Sequence, residues 1–235
     1  MKHLEANTVN ANATPAHGET GMSVRDAIAR RVSCRAYQAT PVPQAYLMQI
    51  LKAARLAPSA CNQQPWRFAV VRDLDLRRRI VEDGFLPGIK MTWAIDAPVH
   101  IVIGMERSFM THRIAASVSG VDYPWVDIGI AGEHLVLATT ELGLGTCWIG
   151  WIKPRVVARI VAWPASVKPV VVITVGYACD PDSGMPAASR RKPLAYSSRP
   201  LRGSSRCAHG RGFGVGSDPE ALSDREPGQG AGNES

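Results

Sequence analysis

The sequence predicts a single domain of the α/β or α+β class, and two observations carry that prediction. Segments with helical apolar spacing alternate with short runs of β-formers through the middle of the chain, and 235 residues at 46% hydrophobic content suffice to bury one core. A mean hydropathy of −0.06 and no apolar stretch near the ~18 residues of a bilayer span argue against a membrane protein. The opening MKHLEANTVNANATPAHGET lacks the apolar centre of an export signal. Cys34, Cys61, Cys147, Cys179 and Cys207 are odd in number and scattered, forming neither a CxxC knuckle nor a disulfide framework. A cytoplasmic protein is expected.

The elements follow in order. Ser23-Val24-Arg25-Asp26 is a capping-box-like start, with Asp in place of the usual Glu, for a helix running to about Arg31. Pro41 and Pro43 lead into a helix from about Gln44 to Arg55 with Leu47, Ile50, Leu51 and Ala54 on one face. An irregular Ala57–Pro65 loop precedes a strand over Trp66–Val71. Asp73 can cap a short helix over Leu74–Val81, whose Arg77-Arg78-Arg79 run reads as a solvated face. Val99–Ile103 is a continuous apolar run, the mark of a strand buried on both faces. Ile128, Ala131, Leu135, Ala138 and Leu142 recur at spacings of three and four in a long helix over Asp127–Leu142, which Gly143 ends. A strand at Thr146–Ile149, a helix from near Pro154 and a strand at Val170–Val175 complete four strands and about five helices.

Residues 1–22 and 201–235 lack apolar periodicity and read as disordered tails flanking one domain over 23–200. The Gly210–Gly216 alternation has no strand before it and no helix after it, so it does not read as a phosphate loop. The net charge is +7; each tail carries −1, which leaves +9 on the domain. Such an excess suits nucleic acid or anionic small molecules alike. No helix-turn-helix or aromatic-basic motif accompanies it, so no nucleic-acid partner is expected.

Four constellations carry chemistry. Arg31-Val32-Ser33-Cys34-Arg35 sets two guanidinium forks around a hydroxyl, a set that matches phosphate oxygens, although arginine near a helix C-terminus also satisfies the macrodipole. Ala57-Pro58-Ser59-Ala60-Cys61-Asn62-Gln63-Gln64-Pro65-Trp66 is rich in amides that offer both donor and acceptor to a heterocycle edge, or that satisfy their own backbone. Gly143-Leu144-Gly145-Thr146-Cys147-Trp148-Ile149-Gly150 ends a helix and feeds a strand, with Gly150 placed to let backbone approach a flat ring. Arg190-Arg191-Lys192-Pro193-Leu194 is a basic cluster before the C-terminal tail. His134 and His100 read as structural residues, and Trp93, Trp125, Trp148 and Trp151 suit core or interface as well as stacking.

Together, AIARRVSCRAY, ILKAARLAPSACNQQPWRFAVV, APVHIVIG, VDIGIAGEHLVLATTELGLGTCWIGW, VGY and RRKPL resemble, in order and spacing, the nitroreductase family of FMN-dependent flavoproteins over about residues 23–195. The resemblance implies an α+β fold, a central, mostly antiparallel sheet flanked by helices, in an intertwined homodimer whose FMN sites draw on both chains. It assigns Arg31, Ser33 and Arg35 to the FMN phosphate and ribityl chain, and Pro58, Ser59 and Asn62 to a loop laid on the ring by the second subunit. Trp148, Ile149 and Gly150 would pass the flavin N5 region, and Arg191 would bind phosphate. Val32 stands where the family often has a basic residue or His.

The activity so implied is ping-pong transfer, with NAD(P)H giving a hydride to flavin N5 and a nitroaromatic, quinone or related small oxidised acceptor then taking the electrons. No protein acid or base and no metal is expected, since the cofactor carries the chemistry. Alternatives on the same fold are a reductive dehalogenase, a dehydrogenase, or a flavin-binding protein without turnover. Substrate choice is expected to lie in Gly84–Ala94 and Met105–Trp125.

Overall fold

A computed structural model describes residues 21–106, 120–180, 191–193 and 196. The tail readings apart from Gly21 and Met22, the Gly210–Gly216 alternation, Arg190, and residues 107–119 of the second variable segment lie outside the described residues. The chain divides into two compact units at Arg191, and Met1–Arg191 holds all the elements below. In the second unit, Lys192 Nζ lies 3.9 Å from the centroid of the Tyr196 ring.

Helix α1 is Val24–Arg30, where the Ser23 hydroxyl accepts from Asp26 N at 3.1 Å and donates to the Asp26 carboxylate at 2.6 Å. Asp therefore closes the box through the hydroxyl rather than the backbone. Helix α2, Gln44–Arg55, buries Leu47, Ile50 and Ala54, with Leu51 half-buried at the edge of the same face. Strand β1 is Trp66–Val71, and α3, Leu74–Glu82, is capped by Asp73 accepting from Leu76 N at 2.9 Å. Strand β2, Val99–Glu106, is longer than the apolar run that announced it. Helix α4, Tyr123–Glu141, starts one turn earlier than expected, because Pro124 is tolerated in a first turn and does not bar the helix. At its other end Gly143 (φ 73) takes the left-handed position, with Gly143 N bonded to Thr140 O and Leu144 N to Thr139 O, a Schellman closure. Strand β3 is Gly145–Ile149, helix α5 is Pro154–Ile160 and strand β4 is Val167–Gly176.

The four strands form one antiparallel sheet in the order β1-β2-β4-β3. Alternation along the two central strands explains their unbroken apolarity. Ile101, Ile103, Ile173 and Val175 point to one face, where they pack with Leu47, Ile50, Ile128, Ala131 and Leu135 of α2 and α4. Val102 and Val172 point to the other, against Ile80, Ala94, Val157 and Ile160.

The Arg77–Arg79 run corrects the reading of a uniformly solvated face. Arg78 and Arg79 are exposed, but Arg77 is buried and donates to the carbonyls of Arg72, Ile95 and Ala97. Those three bonds supply the partners a buried guanidinium requires. Burial still draws its affinity for a proton below the ordinary arginine value. Nearby, His100 is fully buried, its Nε2 2.8 Å from Ala94 O, and burial lowers its pKa to about 4. The ring is thus neutral at physiological pH. His134 Nδ1 lies 3.4 Å from Ala53 O, joining α4 to α2, so both histidines are structural.

Candidate functional site

Strand β3 is an edge of the sheet, and the chain leaving α1 runs along it. Arg31 caps α1 in an extended conformation (φ −60, ψ 118), so the helix passes directly into a strand-like segment. Ser33 then forms a parallel bridge with Thr146, and Cys34 N donates to Thr146 O at 2.8 Å. Burial sorts the side chains. Cys34 and Tyr37 turn inward, where the Tyr37 hydroxyl bonds Cys34 O at 2.9 Å and Thr174 Oγ1 at 2.7 Å. Ser33 and Arg35 turn outward, and Arg31 is half-buried. Ser33, Arg35 and Arg31 all act on the buried Cys147 thiol of β3, each favouring its thiolate, yet burial outweighs them and pushes that thiol up. The bridge to Thr146 thus sets the Arg31–Arg35 segment alongside β3.

Trp148, Ile149 and Gly150 continue the strand from that point. Trp148 is half-buried, its ring laid over Gly132 of α4 so closely that a Cβ there would meet a Trp148 ring carbon at 2.1 Å. Ile149 turns its side chain away into the second apolar cluster, which leaves only its backbone for a ligand. Gly150 is exposed, and a Cβ on it would meet nothing within 4 Å of this chain. Past it, Trp151 Nε1 donates to Pro87 O at 2.9 Å, Leu86 N to Trp151 O at 2.9 Å and Lys153 N to Gly84 O at 2.6 Å. The variable segment beginning at Gly84 is thereby tied to the chain just beyond the site.

The Ala57–Pro65 loop is built differently. Cys61 (φ 50), Asn62 (φ 53) and Gln64 (φ 48) are all left-handed, each at a cost of about 1–3 kcal/mol for a residue other than Gly. The loop's own polar groups offset that cost. Ser59 Oγ accepts from Gln64 N at 3.0 Å, Asn62 Oδ1 accepts from Gln64 Nε2 at 2.9 Å, and Ala60 N donates to Asp127 Oδ1 of α4 at 3.1 Å. The acceptors of Ser59 and Asn62 are thus engaged, with Pro58 and Asn62 exposed and Ser59 half-buried.

The sheet order keeps these groups apart within one chain. The loop feeds β1 and the Arg31–Arg35 segment runs beside β3, at opposite edges of the sheet. Arg191 is exposed. Sequence reasoning missed Asp127, Gly132 and Cys147. Only Gly132 left a signal, since a glycine inside a helix costs about 1 kcal/mol and needs a reason.

A model of the nitroreductase family matches residues 28–85 and 85–177. A protein of Methanothermobacter thermautotrophicus named for NADH dehydrogenase or NAD(P)H nitroreductase activity is 35% identical over 163 residues, covering 66% of this chain and 78% of its own. An iodotyrosine deiodinase of Thermotoga neapolitana is 28% identical over 184 residues, covering 68% and 91%. The solved structure of an FMN-dependent nitroreductase of Clostridium difficile R20291 superposes with a TM-score of 0.60 at 25% identity, over 74% of this chain and 96% of that one. A four-stranded antiparallel sheet with helices on both faces agrees with those matches, and the chain belongs to the nitroreductase family of FMN-dependent NAD(P)H oxidoreductases.

Proposed function

We propose that the protein reduces nitroaromatic, quinone or related small oxidised acceptors with electrons from NAD(P)H, and that two copies pair to complete each FMN site. The observation that carries this reading is the bridge that holds the Arg31–Arg35 segment along β3, the strand that leads into the exposed, open Gly150. Two guanidinium forks and a hydroxyl fit a phosphate and a polyol, and the open strand end fits a ring. When bound, FMN supplies the redox chemistry, accepting hydride at N5 and releasing electrons to the acceptor in a ping-pong cycle.

This chain's residues hold and orient. Arg31 and Arg35 place positive charge where an anion would lie, and Ser33 offers a hydroxyl between them. Trp148, fixed over Gly132, sets the level of the backbone at Ile149 and Gly150. The donor groups of Ser59 and Asn62, with Pro58, would meet the ring from the second copy, because β1 and β3 lie at opposite edges of one sheet. Arg191 would complete the phosphate contacts. The elements supporting this site all lie within the first unit, Met1–Arg191.

The test is anaerobic. Purified protein is expected to carry flavin absorption that bleaches with NADH or NADPH and returns on adding a nitroaromatic or quinone. A colourless protein that takes up no added FMN would overturn the proposal. Flavin that bleaches but is reoxidised by halogenated substrates alone would replace it with reductive dehalogenation.

A further inference from the structure

Asp127 is the unexplained residue beside the site. It lies one turn into α4, is 3% exposed, and divides its carboxylate unevenly. Oδ1 accepts from Ala60 N at 3.1 Å, while Oδ2 is buried with no hydrogen-bond partner among the described residues. Burying a carboxylate oxygen without a donor costs free energy that the fold does not recover, since an apolar side chain would fill the same space without that penalty. Nothing in the apolar packing of α4 against the sheet calls for an acid here. Asp127 holds the amide at the head of three left-handed residues, in the loop that carries Pro58, Ser59 and Asn62.

We infer that Asp127 is a positioning residue of the flavin site, one oxygen fixing the Ser59–Gln64 loop through Ala60 N and the other kept for an N–H or O–H donor that arrives when the site is loaded. The inference rests on the FMN reading above. Only the pair of functions needs a carboxylate: the first uses any acceptor, and the second requires an acceptor where an amide would present another donor. Asn at 127 separates them, because its oxygen must face Ala60 N, which leaves its NH₂ where Oδ2 stood.

The experiment compares wild-type protein, Asp127→Asn and Asp127→Ala, stripped of flavin and titrated with FMN by fluorescence quenching, with hydrogen exchange followed at the Ala60 amide. In Asp127→Asn we expect Ala60 protection close to wild type but FMN affinity down by roughly ten- to a hundredfold, the size of a lost charge-assisted hydrogen bond. Asp127→Ala should lose both. If Asp127→Asn binds FMN as wild type does, Oδ2 awaits no donor and the inference falls, while the FMN reading stands. If Asp127→Ala retains Ala60 protection, the loop does not depend on Asp127 and the inference equally falls. A wild-type protein that takes up no FMN would overturn both readings together.

Discussion

The two edges of the sheet solve the same problem in opposite ways. At the β3 edge the backbone provides the order: the Ser33–Thr146 bridge and the Cys34 amide fix the segment, which leaves the hydroxyl and guanidiniums of Ser33 and Arg35 turned outward. At the β1 edge side chains provide it, with Ser59, Asn62 and Asp127 holding a left-handed backbone that no ladder supports. At the β3 edge the backbone takes from these side chains the 3.3 Å bond from Arg35 Nη1 to Ser33 O, whereas the loop's backbone leans on Ser59 and Asp127 for its amides. The β3 edge therefore reads as the source of affinity, and the loop as the source of shape.

Four measurements would break or sharpen that contrast. The largest effect is expected at Gly132, where any side chain strikes the Trp148 ring. Gly132→Val should cost at least about 3 kcal/mol in urea unfolding, or expel Trp148 and quench-shift its fluorescence. Next, Arg31→Ala with Arg35→Ala should weaken FMN binding about a hundredfold, and either alone about tenfold, with unfolding midpoints unchanged. Loss of stability instead would mean that the guanidiniums serve the fold and that the two edges are alike.

The third measurement reads the middle of the sheet that both edges share. Burial holds the folded His100 pKa at about 4 against an ordinary 6.5, so between those values the unfolded chain binds a proton that the folded chain refuses. Stability should be full above that window and decline as pH falls through it, by about 2 kcal/mol from pH 7 to pH 5. His100→Gln should flatten the slope, as followed by urea midpoints. The smallest effect is Ser59→Ala, which leaves Gln64 N without its acceptor and should cost about 1 kcal/mol locally, seen as faster exchange at the Gln64 amide.

Most of the architecture was legible because it rests on local rules. Ser23, Asp73 and Gly143 marked helix ends, and period-three spacing marked α2 and α4. What escaped depends on contacts between distant segments. Nothing near Arg77 in sequence tells that the carbonyls of Ile95 and Ala97 will enclose it, while its neighbour Arg78 remains at the surface beside Asp75. Likewise, Asp127 looks like a helix-starting acid until α4 is seen to begin at Tyr123, which places the carboxylate inside and against the loop. The RxSxR element was visible as a pattern, but its role in lining β3 required the bridge to Thr146.

That bridge has a second consequence. An edge strand exposes a row of backbone donors and acceptors on which another chain can grow a sheet. By pairing at Thr146, the Ser33–Cys34 segment occupies the start of that row, so the residues proposed to receive a cofactor also guard β3 against aggregation.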